Sequence, residues 1–542
     1  IHFCGNLHEV QQAALRRKGG SGFFFLQIPE DVKITSFLNA LGDVSYINKI
    51  SIFNENREHW HAKTLKFLSE LNENSRSRFW WALTFTSKNP LDSPLPSQIL
   101  EYLTFLDILE RFKNFDTWIV ILQDAVLLKQ LQSYLKSKRI PFSCHVQWNI
   151  NFLDIFKKII PLYGSIAFLK VLLLKIYALF LFGNCIDAKQ KYYVLYSIFS
   201  LASFEKKIYR DAYFGTLVTF LKSKKIPILL TGVVFSPYLK IMREMKQNQN
   251  QLLMLPTVYF CSFSGMFRCY WEALKRQYFP FELQKNLTIE GIPIDRLIRS
   301  AERRACTSQR FFFDIFLYFC MRSLSQRAHV TRFFYPCENR PWEKMLIQGL
   351  RCGKQDVKIM ALQHASISQR LWNFVLCGKE AQRQPLPDYL LTSGGKTRDI
   401  FLKNFYFGSE RIKVACAPRY HALSSLGPLK AKPFQMKNIL IPLASSYGEY
   451  VHVISFLNQA PHMLNAYSIV IRPHPVLPIE KAFGMIKPRF KFRVDTTPSV
   501  YHSLQKTDFL LYASASVCME ALSMGVPVVY IQLSDFFDSD PL

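Results

Sequence analysis

IVIRPHP (469–475) and SASVCMEALSMGVPVVYIQ (514–532) decide the fold of this 542-residue chain. Ser468–Ile471 is a short apolar run ending in polar residues. Phe509–Tyr512 is another, and it runs through Ala513-Ser514-Ala515-Ser516 into a helical pattern ending at Met524. Gly525 suits the helix end, and VPVVYI supplies the next buried strand. Short apolar strands alternating with helices point to a doubly wound α/β sheet, whose ligands bind beyond the carboxyl ends of its strands. The polar residues of both stretches fall at that edge. Arg472 and His474 are two apart, so an extended backbone projects them to one side, and Pro473 and Pro475 stiffen the loop. That rigid cationic pair suits a diphosphate or phosphodiester, although a strand-end loop with a solvated Arg has the same look. Ser514 and Ser516 offer donors at a helix N-terminus, a ready phosphate site. Glu520 follows Ser516 by one turn and can accept hydrogen bonds from ribose hydroxyls, or can simply be an exposed Glu.

Working toward the N-terminus, NILIPLA and VACAPRYH are further short strands, and PLPDYLLTSGG (385–395) reads as a hinge between domains. Before it, helix PWEKMLIQGLRCGK (341–354) separates FFYPCEN from strand VKIMALQH (357–364). YYVLYSIFS (192–200), helix 211–225 and IPILLTGVV (226–234) form another unit, and DTWIVILQD (115–124), helix 125–139 and IPFSCHVQW (140–148) a third. The division read from this is an accessory α/β domain over 1–150, a hydrophobic segment over 151–190, and two Rossmann-like domains over 191–385 and 386–542. The segment IIPLYGSIAFLKVLLLKIYALFLFG (159–183) could span a bilayer by length, but Lys170 and Lys175 near its middle make that costly. A buried or groove-lining helix is the plainest reading, and an interfacial helix with snorkelling lysines is the next.

Lys and Arg number 68 against 40 Asp and Glu, a net +28, which implies an anionic partner: a phosphorylated substrate, a membrane face or nucleic acid. Apolar residues make up 49%, which excludes wholesale disorder. The 12 cysteines form no CxxC pair and no cluster at zinc spacing, which argues against a disulfide framework and for a reducing compartment. No signal-peptide pattern follows Ile1, and no RNA-binding module signature is present. Asp538-Ser539-Asp540 has DxD spacing but lies in a tail, and SGGK (393–396) lacks phosphate-loop spacing, so both are set aside.

Together the RPHP and SAS segments resemble the C-terminal domain of GT-B glycosyltransferases. They are most similar to those using CMP- or CDP-activated donors: sialyltransferases, Kdo transferases and CDP-glycerol glycerophosphotransferases. YRDAYFGTL (209–217), YPCENRPWEKMLIQGLR (335–351), ALQHAS (361–366), PDYLLTSGG (387–395) and WWALTFTSKNPLDSPL (80–95) resemble bacterial surface-carbohydrate biosynthesis proteins. The resemblance implies a GT-B fold, two Rossmann-like domains facing a cleft. It also implies transfer of a sugar, with a CMP-linked nonulosonic acid or Kdo favoured, to a surface polysaccharide or lipid-linked glycan.

The catalytic base is then expected from the N-terminal half. His364 follows an apolar strand and should sit at the sheet edge, as base or phosphate contact. Glu338 is a second candidate, less easily explained by the helix dipole than Glu343. Asp211 is either a helix N-cap or the base, and Arg210 beside it an acceptor-binding cation. Arg472, His474, Ser514 and Ser516 would stabilise the departing phosphate, and Glu520 the ribose. No metal or other cofactor is required for that chemistry. The chain is expected at the cytoplasmic face of the plasma membrane, near lipid-linked acceptors. Rival readings are a CDP-polyol phosphotransferase, a nucleotide-sugar 2-epimerase, and a non-catalytic assembly or nucleic-acid-binding protein.

Overall fold

The computed structural model describes residues 1–542 apart from 5, 16–21, 27–43, 47–48, 114–116, 123, 145–161, 206–207, 212, 354–355, 365, 368–370, 405–407, 416, 421–436, 445, 475–476, 498, 533–539 and 542. The described residues form a mixed α/β structure built on three parallel sheets. The first contains β1 (His2–Cys4), β2 (Gly22–Leu26), β3 (Val44–Tyr46), β4 (Thr117–Ile121) and β5 (Ser143–Cys144), ordered β3-β2-β4-β1-β5. The strand–helix–strand unit read at 115–148 is here. Asp124 caps its helix, accepting from the N–H groups of Val126 and Leu127 at 2.8 and 2.9 Å. The end of its second strand, 145–148, lies outside the described residues.

The middle sheet contains β6 (Lys191–Phe199), β7 (Ile228–Val234), β8 (Leu253–Pro256), β9 (His329–Cys337), β10 (Lys358–Gln363), β11 (Tyr389–Thr392) and β12 (Ile412–Val414). Its order is β8-β7-β6-β9-β10-β11-β12, with every pairing parallel. The last sheet contains β13 (Asn438–Pro442), β14 (Ser468–Arg472), β15 (Arg493–Val494), β16 (Phe509–Tyr512) and β17 (Val528–Tyr530), ordered β15-β14-β13-β16-β17 and again parallel. Both sheets therefore wind outward from their first strand, return, and wind outward on the other side. This is the Rossmann order, so the chain carries the two Rossmann-like domains the sequence predicts. The crevice of such a sheet opens where the winding reverses, between β6 and β9 in one case and β13 and β16 in the other.

The helices that matter below are α1 (Leu162–Phe182), α2 (Tyr238–Gln247), α3 (Phe263–Tyr278), α4 (Gln309–Arg327), α5 (Pro341–Arg351), α6 (Gly395–Asn404), α7 (Tyr447–Leu457) and α8 (Val517–Ser523).

Three expectations change. The hinge at 385–395 is the entry to a strand: Asp388 donates its N–H to the Ile359 carbonyl at 2.9 Å, and β11 then pairs with β10. Residues up to Val414 thus extend the middle sheet, past the expected boundary at 385/386, because Pro385 and Pro387 precede the first residue of β11 and remove no N–H from its ladder. The helix read over 211–225 is confined to Leu217–Ser223, since residues before it form a turn. The accessory domain is not packed separately either. One continuous hydrophobic core runs from Phe3 to Ile412 and is shared by the first two sheets. The last sheet buries both faces by strand alternation, Ile439, Ile441, Ile469 and Ile471 on one side and Leu440, Leu510 and Tyr512 on the other.

Candidate active site

The crevice of the middle sheet is built by a local device at the end of β9. Asn339 takes a left-handed conformation (φ 53°), which Asn tolerates better than most residues, and Pro341 then starts α5. Glu343, in the first turn of α5, reaches back to accept from the N–H groups of Glu338 and Asn339, both at 2.9 Å. That is a structural role, a variant of the capping box, and it fixes the Glu338 backbone. The Glu338 side chain lies between two partners: its Oε1 is 3.2 Å from His364 Nε2, and its Oε2 pairs with the Arg340 guanidinium. Burial alone would raise the Glu338 pKa. The hydrogen bond from His364 and the charges of Arg340 and Arg310 outweigh it and hold the carboxyl at about 2. Glu338 is therefore an ionised partner of His364 and holds no proton-accepting capacity of its own near neutrality.

Behind this pair stands the N-terminal SKNPLDSPL segment. The Asp92 carboxylate, fully buried, lies 2.8 Å from Arg310 and 3.6 Å from Arg340, so a charged chain Asp92–Arg340–Glu338 leads up to His364. Beside it, Lys88 and Glu380 form a buried ion pair at 2.5 Å, with Glu380 also accepting from Asn72 Nδ2 at 2.7 Å. Lys344 donates to the Thr86 carbonyl at 3.0 Å, and burial pushes its ammonium down to about 7. The WW…SKNP, EN.PWE and QH segments thus meet in one polar cluster under the crevice.

His364 leaves the end of β10 and lines a cavity of about 140 Å³. Tyr213 contacts its ring edge-on, with centroids 5.1 Å apart. With Nε2 donating to Glu338, the lone pair is on Nδ1, which is covered and has no hydrogen-bond partner among the described residues. The rest of the lining comes from Ser393, Lys396 and Thr397 at the start of α6, from Pro418 and Tyr420, and from Met519 and Pro541 of the C-terminal unit. The cavity therefore lies where the two Rossmann-like units meet, and Tyr420 Oη to Met519 Sδ at 3.7 Å bridges them. SGGK, set aside from its spacing, is a strand-to-helix turn on this wall. Gly394 and Gly395 face open space, and a strand ending in Ser-Gly before a helix was the signal available to find it.

The other residues read from the sequence are placed differently. Asp211 accepts from the N–H groups of Tyr213 and Phe214, both at 2.7 Å, and from Tyr209 Oη at 2.5 Å. It caps the turn that carries Tyr213. Gly215 completes this turn with φ +48°, and a Cβ there would lie 2.4 Å from the Pro418 carbonyl. Arg210 is exposed, its N–H donating to the Ser203 carbonyl at 2.8 Å. Neither Asp211 nor Arg210 lines the cavity.

On the C-terminal sheet, Arg472 Nη1 lies 2.5 Å from Asp495 Oδ2 and 3.1 Å from Thr497 Oγ1. His474 is half-buried, and its N–H donates to Tyr450 Oη at 2.6 Å. Ser514 donates to Glu449, which also accepts the Ala444 N–H at 3.0 Å. Ser516 is half-buried at the start of α8, and Glu520 is buried beneath it. Strand order explains the layout: β13 lies between β14 and β16, so Arg472 and His474 flank one side of its carboxyl end and Ser514 the other. None of these five residues lines the cavity around His364. Glu449 was missed, although Ser446-x-x-Glu449 is a capping-box pattern. Asp540 Oδ1 accepts from Tyr512 Oη at 3.0 Å, so the tail end docks on β16, while Asp538 and Ser539 lie outside the described residues. No group of three or more His, Cys, Asp or Glu side chains is disposed to hold a metal among the described residues.

No protein-family pattern and no curated protein matches the chain. Among solved structures it is similar to the glycotransferase of kitacinnamycin, at 10% identity and a TM-score of 0.34, covering 64% of this chain and 82% of the other. It is also similar to the UDP-GlcNAc 2-epimerase from Neisseria meningitidis bound to UDP-GlcNAc, at 11% identity and 0.36, covering 63% and 82%. A third is the wall teichoic acid polymerase TagF, at 10% identity and 0.30, covering 74% and 79%. At these scores the superpositions are loose and decide nothing about donor or reaction.

Proposed function

We propose that the chain is a GT-B-type enzyme that transfers a sugar from a nucleotide donor to a glycan or lipid-linked acceptor in the cleft between its middle and C-terminal sheets. The observation that carries this reading is the imidazole of His364. It is fastened by an ionised carboxylate and exposes its ring to a cavity walled by both Rossmann-like units. In the proposed reaction the acceptor hydroxyl loses its proton to the His364 imidazole as its oxygen bonds the anomeric carbon. The bond from that carbon to the donor phosphate breaks, and the phosphate leaves with the electron pair. Glu338 holds the imidazole in the basic tautomer and stabilises the imidazolium that forms, and is thus a positioning residue. Arg472, His474, Ser514 and Ser516 surround the carboxyl ends of β13, β14 and β16, where a parallel sheet of this order takes its nucleotide. Support for a CMP-linked nonulosonic acid or Kdo as donor comes from the resemblance of RPHP and the SAS turn.

The test is a screen of CMP-, CDP- and UDP-activated sugars for released nucleotide, with product analysis to separate transfer from epimerisation. With the productive donor, His364→Ala should lower kcat by about 10²- to 10⁴-fold while donor KM moves little. Turnover within a few-fold of the parent would remove His364 from the chemistry. Stabilisation by an oligonucleotide alone, with none by any nucleotide, would remove the enzyme reading altogether.

A further inference from the structure

We propose that the face built by α1, α2 and α3 docks flat on an anionic lipid bilayer, with an arginine-lined groove beside α3 taking the phosphate of a lipid headgroup. Helix α1 has two stripes. Ala167, Val171, Ala178 and Phe182 are buried against the protein, and Lys175 among them is buried too. Its ammonium donates to the Tyr259 carbonyl and lies 5.3 Å from the Tyr259 ring centre. This residue does not snorkel, which corrects the expectation for it. The opposite stripe is Ile166, Leu169, Leu173, Ile176 and Phe180, repeating every three and four residues, and each is more than half exposed.

The apolar surface continues onto α3. Phe168 packs on Phe267 and Tyr270, at 5.3 and 4.9 Å between centroids, and Phe267 and Trp271 are again more than half exposed. These seven side chains put roughly 600 Å² of apolar surface on one face, at the upper end for an ordinary soluble monomer. A helix crossing the bilayer would have to pull its inner stripe from the core and carry Lys175 into hydrocarbon. A helix lying in the interface keeps both stripes satisfied.

Charge selects the occupant. Apart from the buried Lys175, the three helices hold seven Lys or Arg against two Glu: Lys170, Lys240, Arg243, Lys246, Arg268, Lys275 and Arg276 against Glu244 and Glu272. Lys170 is exposed and lies over the Tyr238 ring at 4.3 Å, at the edge of the apolar stripe. A second copy of the chain packing symmetrically on this face would bring these basic rows against each other, whereas an anionic membrane surface attracts them.

The groove, about 480 Å³, shares Phe267 and Trp271 with the apolar face and adds Arg78, Arg268 and Arg322. Arg78 is anchored to Tyr318 Oη at 2.6 Å. The guanidinium groups of Arg268 and Arg322 have no hydrogen-bond or ion-pair partner among the described residues. Among the described residues, Glu272 is the one acid on its wall. Two unengaged guanidinium groups between aromatic walls, continuous with an apolar face, match an amphiphile carrying a phosphate. This inference does not depend on the donor or on the reaction proposed above.

The test is cosedimentation of the chain with phosphatidylcholine vesicles, with and without about one-third phosphatidylglycerol. The expected result is binding to the anionic vesicles only, weakened by salt. Leu169→Ser/Leu173→Ser/Phe180→Ser should reduce it at least tenfold with an unchanged melting temperature. Arg268→Gln/Arg322→Gln should weaken binding to phosphatidylglycerol and lower its salt dependence. Independently of those variants, a blue shift of tryptophan fluorescence on anionic vesicles should vanish in Trp271→Phe. Absence of parent binding, equal binding to neutral vesicles, or a parent dimer that the triple variant turns into a monomer would each overturn the proposal.

Discussion

The middle and C-terminal sheets share a strand order and differ in what supports their carboxyl edges. In the middle sheet the edge residue His364 stands on a second storey of charge: His364 on Glu338, Glu338 on Arg340, Arg340 on Asp92, with Lys88–Glu380 alongside. In the C-terminal sheet they are held by neighbours on adjoining strands and helices, Ser514 by Glu449, Arg472 by Asp495, and the His474 backbone by Tyr450. Under the proposed function the first edge carries a base, which has to hold one tautomer and one direction through the reaction, so its surroundings are over-determined. The second would take a phosphate, which presents many oxygens and accepts donors from several directions, so a looser edge suffices. The price of the first arrangement is a set of buried charges that tolerate no missing partner.

That contrast can be broken most forcefully at the buried ion pair. Lys88→Ala or Glu380→Ala leaves a fully buried charge alone and should cost about 3–5 kcal/mol in chemical denaturation. Replacing both residues together by apolar ones should restore much of the loss. If either single variant proves neutral, the second storey supports nothing.

Next in size is Glu338→Gln. A carboxyl held at about 2 when folded and near 4.5 when unfolded contributes stability that is complete above pH 4.5 and lost as pH falls toward 2. The difference between parent and variant should therefore be on the order of 2–3 kcal/mol at pH 6 and shrink by pH 3. Melting curves at both pH values measure it, and a difference that does not change with pH would show that the carboxylate charge is not what stabilises this edge.

Gly215→Ala tests the joint between the two units. It places a Cβ against the Pro418 carbonyl on a backbone with positive φ, and should cost about 1–3 kcal/mol. Smallest of all is Ser514→Ala on the C-terminal edge. It removes one hydroxyl from Glu449, and donor KM should rise about 2- to 10-fold with kcat nearly unchanged. A large fall in kcat there would mean that the two edges are not specialised as described.

Most of the C-terminal unit was legible in the sequence because its information is local. Apolar runs of four or five residues, a proline after Arg472, small hydroxyl residues before α8 and Gly525 after it name the strands, the edge and the turns. The same logic located His364 at the end of β10. It left Asp211 open between two roles, because a turn cap and a catalytic carboxylate use the same side chain in the same local pattern, and the structure shows the cap. It failed for SGGK, because spacing alone does not show which wall of a cleft a turn will line.

What the sequence determined by itself is the alternation of strand and helix, the parallel sheets, and the residues emerging at the strand ends, all consequences of periodicity and turn chemistry within a dozen residues. Only the tertiary structure decided that residues 72–95 lie under the crevice, that Glu338 pairs with His364 and Arg340, and that α1 turns one apolar stripe inward and the other outward. Those outcomes depend on segments separated by up to hundreds of residues. Their meeting is set by how whole elements pack, and no local pattern encodes that.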